Sequence, residues 1–290
     1  MRRACIDIGS NTTRLLVADC HSSGLVECHQ ERAFTQLGQA LRGDGAIPPD
    51  KLEELCAVVV AQLASARGLG ATEIRCVATA AVRRARNRAE LIERIQSNCG
   101  GLRVELLSGE EEARLAFLGA IRSLGGGGSG AQVGVVDVGG GSSELVLGTP
   151  RDGVSWWISF PFGSSDIAHH FLSADPPSAG DVQQARERIR DALTGIEPPP
   201  CSLAVAVGGS ASSLNRLAGP TLGADAFERS LKLLLGSRRS DLAASLDLDL
   251  ERLRLLPAGL LILEAVSRLL GVPLQIVRGG LREGVLLDAR

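Results

Sequence analysis

Short apolar runs closed by tight turns alternate along the chain with longer segments of helical periodicity. The runs 4–7 and 13–19 enclose Gly9-Ser10-Asn11-Thr12 and predict two strands joined by a turn. The segment 50–67 repeats apolar residues at helical spacing and predicts an amphipathic helix. The mixture indicates an α/β fold. Further strands are predicted at 24–34, 74–78, 104–107, 133–137, 144–147 and 204–207, and helices at 87–98, 110–124, 178–194 and 211–217.

One stretch of the pattern occurs twice. Asp7-Ile8-Gly9-Ser10 returns as Asp137-Val138-Gly139-Gly140, each time at the end of an apolar strand. A single repeat at this long period indicates a duplicated domain rather than a solenoid. The glycine run 125–130 lies between the copies and marks the junction. We therefore predict domains at 1–124 and 131–290, with a last helix that is free to pack back on the first domain.

Composition narrows the classes of function. The 290 residues carry a formal net charge of −2, so nothing in the overall charge favours a nucleic-acid or membrane partner. The most apolar window, 253–270, contains Pro257, Glu264 and Arg268, which favours a buried helix over a membrane span. The same helix is a candidate surface for a homodimer. Seven cysteines without a C-x-x-C pair indicate buried, reduced thiols in a cytoplasmic protein.

The turn after the first strand has the chemistry of a phosphate site. Gly9 permits close approach of the backbone, and consecutive amides in such a turn bind anions. Asp7 can hold Mg²⁺, often through water. The polar side chains that can add contacts to a phosphate are Ser10, Asn11, Thr12 and Arg14. An ordinary hairpin with an aspartate as turn former is the alternative interpretation.

The second copy carries a stronger signal. Gly139, Gly140 and Gly141 lie in succession between two apolar strands, where glycine weakens a sheet, and Ser142 follows them. Close approach to a phosphate offsets that weakness. Asp137 and Glu144 are candidate metal ligands beside this turn. A third turn before a predicted helix, Gly208-Gly209-Ser210, is a weaker candidate for phosphate binding.

Three other groups of polar residues have competing interpretations. Glu110, Glu111 and Glu112 begin a predicted helix, where they either complement its dipole or position an attacking water. The arginine cluster at 83, 84, 86 and 88 is interpreted as a solvated face, with a rim that binds polyanions as the alternative. The adjacent histidines at 169 and 170 are predicted to lie at the surface.

The ordered set of motifs resembles the exopolyphosphatase/guanosine pentaphosphate phosphohydrolase (Ppx/GppA) family, in a short two-domain form. The resemblance extends over nearly the whole chain. It is carried by CIDIGSNTTRLLV (5–17), VATAAVRRARN (77–87), LSGEEEARLAFLG (107–119), VVDVGGGSSELVLG (135–148), AVGGSASSLNRL (206–217) and GGLREGVLL (279–287).

The resemblance implies two ribonuclease-H-like domains of the actin-like ATPase, sugar kinase and Hsp70 superfamily, with a cleft between them. It implies that Asp7, Asp137 and Glu144 hold Mg²⁺ or another divalent cation, and that Glu112 is the catalytic carboxylate. The implied reaction is attack of an activated water on a terminal phosphoryl group of inorganic polyphosphate or guanosine pentaphosphate (pppGpp).

The chain departs from the family pattern at three places. Gln36 stands where relatives often have an arginine, Ser164–Asp166 supplies none, and the stretch before Pro257 lacks the usual Arg-x-Asp. Each lost arginine removes a phosphate contact of about 1.5–3 kcal/mol. A non-catalytic nucleotide or phosphate sensor therefore stays open as an alternative, as does an ATP-using kinase on the same fold.

Overall fold

The computed structural model describes residues 1–21, 24–124 and 130–288, and every structural statement below concerns these residues. They form two compact units, Met1–Arg122 with Gly280–Arg290, and Ser123–Gly279. The glycines at 125–129, predicted to mark the junction, lie outside the described residues. The segment from Gly280, which contains the last helix, belongs to the first unit.

The first unit is built on a five-stranded mixed sheet in the order β3-β2-β1-β4-β5. Its strands are β1 (Arg2–Ile8), β2 (Thr13–His21), β3 (Gly24–Ala33), β4 (Glu73–Ala78) and β5 (Val104–Leu106). Its helices are α1 (Leu37–Ala40), α2 (Pro49–Gly68), α3 (Ala80–Arg84), α4 (Arg88–Asn98), α5 (Gly109–Ser123) and, from the end of the chain, α12 (Leu281–Leu287).

Helices cover both faces of this sheet. On one face α2 buries its apolar stripe of Leu52, Leu55, Val59 and Leu63 against the strands, as its periodicity predicted. On the other face Leu115 of α5 and Val285 of α12 pack against Cys5 and Val77. The backbones of α5 and α12 touch directly. A Cβ on Gly284 would lie 1.9 Å from the carbonyl oxygen of Leu115, so only glycine fits there.

The second unit repeats this arrangement with a six-stranded sheet in the order β10-β11-β9-β6-β7-β8. Its strands are β6 (Val133–Val138), β7 (Ser143–Thr149), β8 (Gly153–Phe160), β9 (Leu203–Val207), β10 (Thr221–Leu222) and β11 (Leu274–Ile276). Its helices are α6 (Ser164–Phe171), α7 (Ala179–Leu193), α8 (Gly208–Ala218), α9 (Ala224–Gly236), α10 (Arg239–Leu246) and α11 (Leu250–Leu270).

Helix α11 is the apolar segment proposed above as core or dimer surface. Leu253, Leu256, Leu260 and Leu263 are at most 1% exposed and belong to the core of the second unit. Most apolar residues of this helix are therefore covered within one chain, whereas Leu250 at its start is 58% exposed. In the described part of the chain no helix is long and apolar enough to cross a membrane.

The cysteines are all free thiols among the described residues. Four of them, Cys5, Cys56, Cys76 and Cys99, are buried, and burial raises the pKa of each of these thiols. These four agree with the predicted buried thiols, whereas Cys28 is exposed.

Candidate active site

The duplicated turns have the same geometry in both units. The amide of Gly9 donates to the carbonyl oxygen of Thr12 at 3.0 Å, and the amide of Gly139 donates to that of Ser142 at 3.0 Å. We refer to residues 9–12 as the Asp7 loop and to residues 139–142 as the Asp137 loop. Each follows an inner strand, β1 or β6, and leads into the antiparallel partner of that strand.

Each loop is held from behind through its carbonyl oxygens. Ser10 accepts a hydrogen bond from the amide of Gly38 at 2.8 Å, and the equivalent Gly140 accepts one from the amide of Ser165 at 2.9 Å. The duplication therefore extends past the motif that the sequence showed. It includes the segment that follows β3 in one unit and β8 in the other.

The outward side of both loops presents amide groups. Among the described residues, the amides at 10–12 and 140–142 donate no hydrogen bond to another protein group. Backbone polar groups are normally paired, and successive amides in a turn form an anion-binding concavity. The loops can therefore bind phosphate oxygens through their backbone, as the glycine pattern predicts.

Gly163 lies directly behind the Asp137 loop, next to the segment that lacks the arginine of the family pattern. A Cβ at this position would lie 2.4 Å from the carbonyl oxygen of Gly139 and 2.5 Å from the carbonyl carbon of Gly140. The amide and hydroxyl of Ser164 both donate to the oxygen of Gly139, at 2.9 and 3.1 Å. The segment without an arginine therefore supports the Asp137 loop from behind.

Asp7 lies at the end of β1 with an incompletely satisfied carboxylate. Its Oδ1 is buried and accepts no hydrogen bond within the described part of the chain. Burial raises the pKa of Asp7, while the charges of Arg282 and Arg14 lower it. Arg14 is its direct cross-strand neighbour. Arg282 is 8% exposed and donates to the carbonyl oxygen of Leu15 at 3.3 Å.

Asp137 and Glu144 form the corresponding cross-strand pair in the second unit. Glu144 is buried, and its Oε1 accepts a hydrogen bond from Ser159 at 2.9 Å. Gly208, with φ +84°, begins α8 against the aspartate, since a Cβ there would lie 2.3 Å from Oδ1 of Asp137. The third predicted turn is thus the first turn of a helix beside the Asp137 loop, and Ser210 donates its hydroxyl to Val138 at 3.4 Å.

The carboxylate of Asp7 fits a magnesium ion held in the manner that this ion prefers. The orphaned Oδ1 of Asp7 is an oxygen ligand without a competing hydrogen bond. No group of three or more His, Cys, Asp or Glu residues forms a metal cage among residues 1–21, 24–124 and 130–288. Mg²⁺ commonly keeps several waters and binds through one or two carboxylates together with substrate phosphates. The buried, unbonded Oδ1 of Asp7 agrees with that mode of binding.

The structure distinguishes the three glutamates at the start of α5. Glu110 is exposed, and Glu111 forms a capping box with Ser108, with reciprocal bonds of 3.0 and 3.1 Å. Glu112 is only 6% exposed and forms an ion pair with Arg83 of α3. Helix capping therefore accounts for Glu111. It does not account for the burial of Glu112, because the helix does not require a buried carboxylate at that position.

Arg83 corrects the interpretation of the arginine cluster as a solvated face. Its guanidinium also donates to the carbonyl oxygen of Leu107 at 2.6 Å and so spans the start of α5. Arg84, Arg86 and Arg88 are exposed, in agreement with the prediction. The motif VATAAVRRARN contained the signal for Arg83, but its partner lies 29 residues further along the chain.

Sheet topology brings these groups in the first unit to one edge. Strands β1, β4 and β5 are parallel, so the Asp7 loop, α3 and α5 all start at their carboxyl ends. Thr79 donates its amide to Ile8 at 3.2 Å, and Leu107 donates its amide to Ala78 at 3.0 Å. This edge carries the Asp7 loop, a candidate metal ligand and a buried carboxylate.

Comparison with known proteins identifies relatives of the whole chain. A model of the Ppx/GppA phosphatase family matches residues 16–290. Exopolyphosphatase 1 of Mycobacterium tuberculosis is 30% identical over 305 residues, covering 99% of this chain and 88% of that protein. A protein of Streptomyces coelicolor is 33% identical over 225 residues, covering 76% of this chain and 66% of its own length.

Solved structures agree with this result. The crystal structure of the Aquifex aeolicus member of the Ppx/GppA family is 28% identical, with a TM-score of 0.83 over 99% of this chain and 96% of that one. An exopolyphosphatase structure from Cytophaga hutchinsonii has a TM-score of 0.88 at 22% identity over 99% and 97% of the two chains, and supports the fold alone. The predicted family and α/β fold class are confirmed.

Proposed function

The chain belongs to the Ppx/GppA phosphatase family, and from this premise we propose that it is a Mg²⁺-dependent phosphohydrolase that releases the terminal phosphate of inorganic polyphosphate. The observation that carries the proposal is Glu112. Of the three glutamates at the start of α5, it alone is buried, and it forms an ion pair with Arg83. Burying a charged group is costly unless the group is paired, and such groups concentrate at functional sites.

The proposed division of labour follows the chemistry of each group. Amides of the Asp7 loop and the Asp137 loop bind phosphate oxygens, with added contacts from Arg14 and from the hydroxyls of Ser10, Thr12 and Ser142. The first turn of α8, with Gly208, Gly209 and Ser210, is a further candidate contact. Asp7, Asp137 and Glu144 would hold Mg²⁺, which when bound neutralises charge on the phosphates.

Glu112 would act on the attacking water. Arg83 fixes the carboxylate, which orients a water toward the terminal phosphorus and accepts its proton. A bond forms between the water oxygen and phosphorus, and the bond from phosphorus to the bridging oxygen breaks. The products are orthophosphate and a polyphosphate chain that is one unit shorter. The bridging oxygen leaves as a terminal phosphate oxygen of that chain.

Guanosine pentaphosphate is the second candidate substrate, because its terminal phosphate presents the same anhydride to the loops. Relatives named exopolyphosphatase at 30% identity favour polyphosphate. A substrate panel tests the choice: long polyphosphate, tripolyphosphate, pppGpp and ATP, each with Mg²⁺ and again with EDTA. We expect polyphosphate to release phosphate with Mg²⁺, and we expect this release to stop in EDTA. Release from pppGpp alone would overturn the proposed substrate.

The two remaining alternatives predict different results in the same substrate panel. A phosphate sensor would bind these ligands without releasing phosphate, and a kinase would produce ADP from ATP only when an acceptor is added. The ion pair of Glu112 argues against the sensor, since binding alone does not require a buried carboxylate. A cytoplasmic location and a homodimer stay predictions, and the core position of α11 gives the dimer no support.

A further inference from the structure

A row of charged residues crosses the first unit's sheet at the level of Asp7. In the register of the sheet Asp7 pairs with Arg14 of β2, and Arg14 pairs in turn with Arg32 of β3. Directly paired residues of antiparallel strands share a face, so the three side chains lie on one face with two arginines opposite each other. A phosphate bound near this row would therefore meet two guanidinium groups on the same face.

The side chain of Arg32 is held toward the Asp7 loop. Its guanidinium lies 5.0 Å from the centre of the Phe34 ring, a cation–π contact. Phe34 follows the last residue of β3, Ala33, which pairs with Thr13 immediately after the loop. The contact therefore draws the exposed guanidinium to the end of the strand where the loop lies.

A third arginine, Arg282, lies on this face. Arg282 is buried and donates to Leu15 and to the side-chain oxygen of Gln30, at 3.3 and 3.2 Å. Gln30 precedes Arg32 by two residues and lies on the same face of β3. Arg282 thus occupies the inner part of the face, and Arg32 is the exposed cation at its outer end.

We propose that Arg32 binds a phosphate group of the substrate that lies further along the polyphosphate chain than the scissile terminal one. The inference rests on the proposed function and extends it to chain-length preference. Two strand spacings separate Arg32 from Asp7, about 10 Å, which places it beyond the terminal phosphate. Its planar guanidinium can bind phosphate oxygens in a bidentate manner. It would supply a cation that Gln36 does not.

Steady-state kinetics of Arg32→Ala test the proposal. We expect KM for long-chain polyphosphate to rise about ten-fold or more, with kcat changed less than about two-fold, because a charge-assisted contact is lost outside the reacting centre. KM for tripolyphosphate is expected to change much less. Arg32→Lys should recover part of the loss, since lysine keeps the charge without the bidentate geometry. Arg103→Ala removes an exposed arginine of the same unit and serves as the control.

Binding separates failure of this proposal from failure of the proposed function. Calorimetric titration of long-chain polyphosphate into Glu112→Gln, with and without Arg32→Ala, measures affinity without turnover. A ten-fold weaker affinity of the double variant supports Arg32 even if the wild-type protein releases no phosphate. Equal affinities, or equal losses for Arg32→Ala and Arg103→Ala, would overturn the proposal. So would an equal rise in KM for tripolyphosphate and for the long chain.

Discussion

Gly208 places the backbone of α8 directly against Asp137, and its replacement by alanine is a sharp test of that contact. The new Cβ would lie 2.3 Å from Oδ1 of Asp137. Separations below 3.0 Å essentially do not occur, so the carboxylate or the helix has to move by at least the 0.7 Å between 2.3 and 3.0 Å. Gly208 also has φ +84°, which an alanine adopts only with strain.

Gly219 provides a matched control at the other end of the same helix. It has φ +82°, and a Cβ there would meet no atom within 4 Å. Gly219→Ala therefore carries the backbone strain alone, about 1–3 kcal/mol. Gly208→Ala carries a similar strain together with an overpacking cost of about 1–3 kcal/mol. The difference between the two variants measures the contact with Asp137.

Activity should separate the variants more clearly than stability. A misplacement of about 1 Å in a site can cost about 100-fold in rate. We therefore expect Gly208→Ala to lose about 100-fold in phosphate release from polyphosphate, and Gly219→Ala to stay within a few-fold of wild type. Urea unfolding of both variants gives the stability difference. Equal activities for the two folded variants would refute the role given to the Gly208 contact.

Two further predictions concern Asp7 and the packing of α12. The folded protein binds the Asp7 proton more tightly than the unfolded chain, so this carboxylate lowers the free energy of unfolding as pH rises above its ordinary pKa of 3.8. In EDTA, Asp7→Asn should therefore raise stability at pH 7 by about 1–3 kcal/mol, with the gain fading toward pH 3. With Mg²⁺ present, the same variant should release no phosphate. Thermal unfolding across pH checks the stability, and a loss of stability at pH 7 would contradict the prediction. In Gly284→Ala the new Cβ would lie 1.9 Å from the oxygen of Leu115, so the free energy of unfolding in urea should fall by about 1–3 kcal/mol or more. Gly43→Ala is the control, because its Cβ would meet no atom within 4 Å and its stability should change little. Similar values for both variants would show that α5 and α12 are not in tight contact.

The local sequence pattern was sufficient to predict the two loops and the strands that flank them. The predicted strand at 4–7 became Arg2–Ile8, and the predicted helix at 50–67 became Pro49–Gly68, because alternation and helical periodicity are both strong there. The strand Gly153–Phe160 and the helix Ser164–Phe171 were not predicted. Adjacent Trp156 and Trp157 break simple alternation in the strand, and the helix is only eight residues long.

The site itself depended on contacts that no local pattern contains. The role of Glu112 came from resemblance, since the sequence alone could not separate it from its two neighbours. Only the structure shows that Glu111 caps the helix while Glu112 turns to Arg83. In the same way Arg32 gained significance from the register of β2 and β3, and Gly163 from its contact with the Asp137 loop. The predicted cleft between the domains stays a prediction.

The most direct test of the account is phosphate release from long-chain polyphosphate with Mg²⁺ by three proteins: wild type, Glu112→Gln and Glu110→Gln. Glu110 lies in the same helical turn but is exposed, so its variant controls for the change of charge. Loss of a catalytic base costs about 100- to 10,000-fold. The account predicts that loss for Glu112→Gln and near wild-type rates for Glu110→Gln. Wild-type protein that releases no phosphate, or a Glu112→Gln variant as fast as wild type, would contradict it.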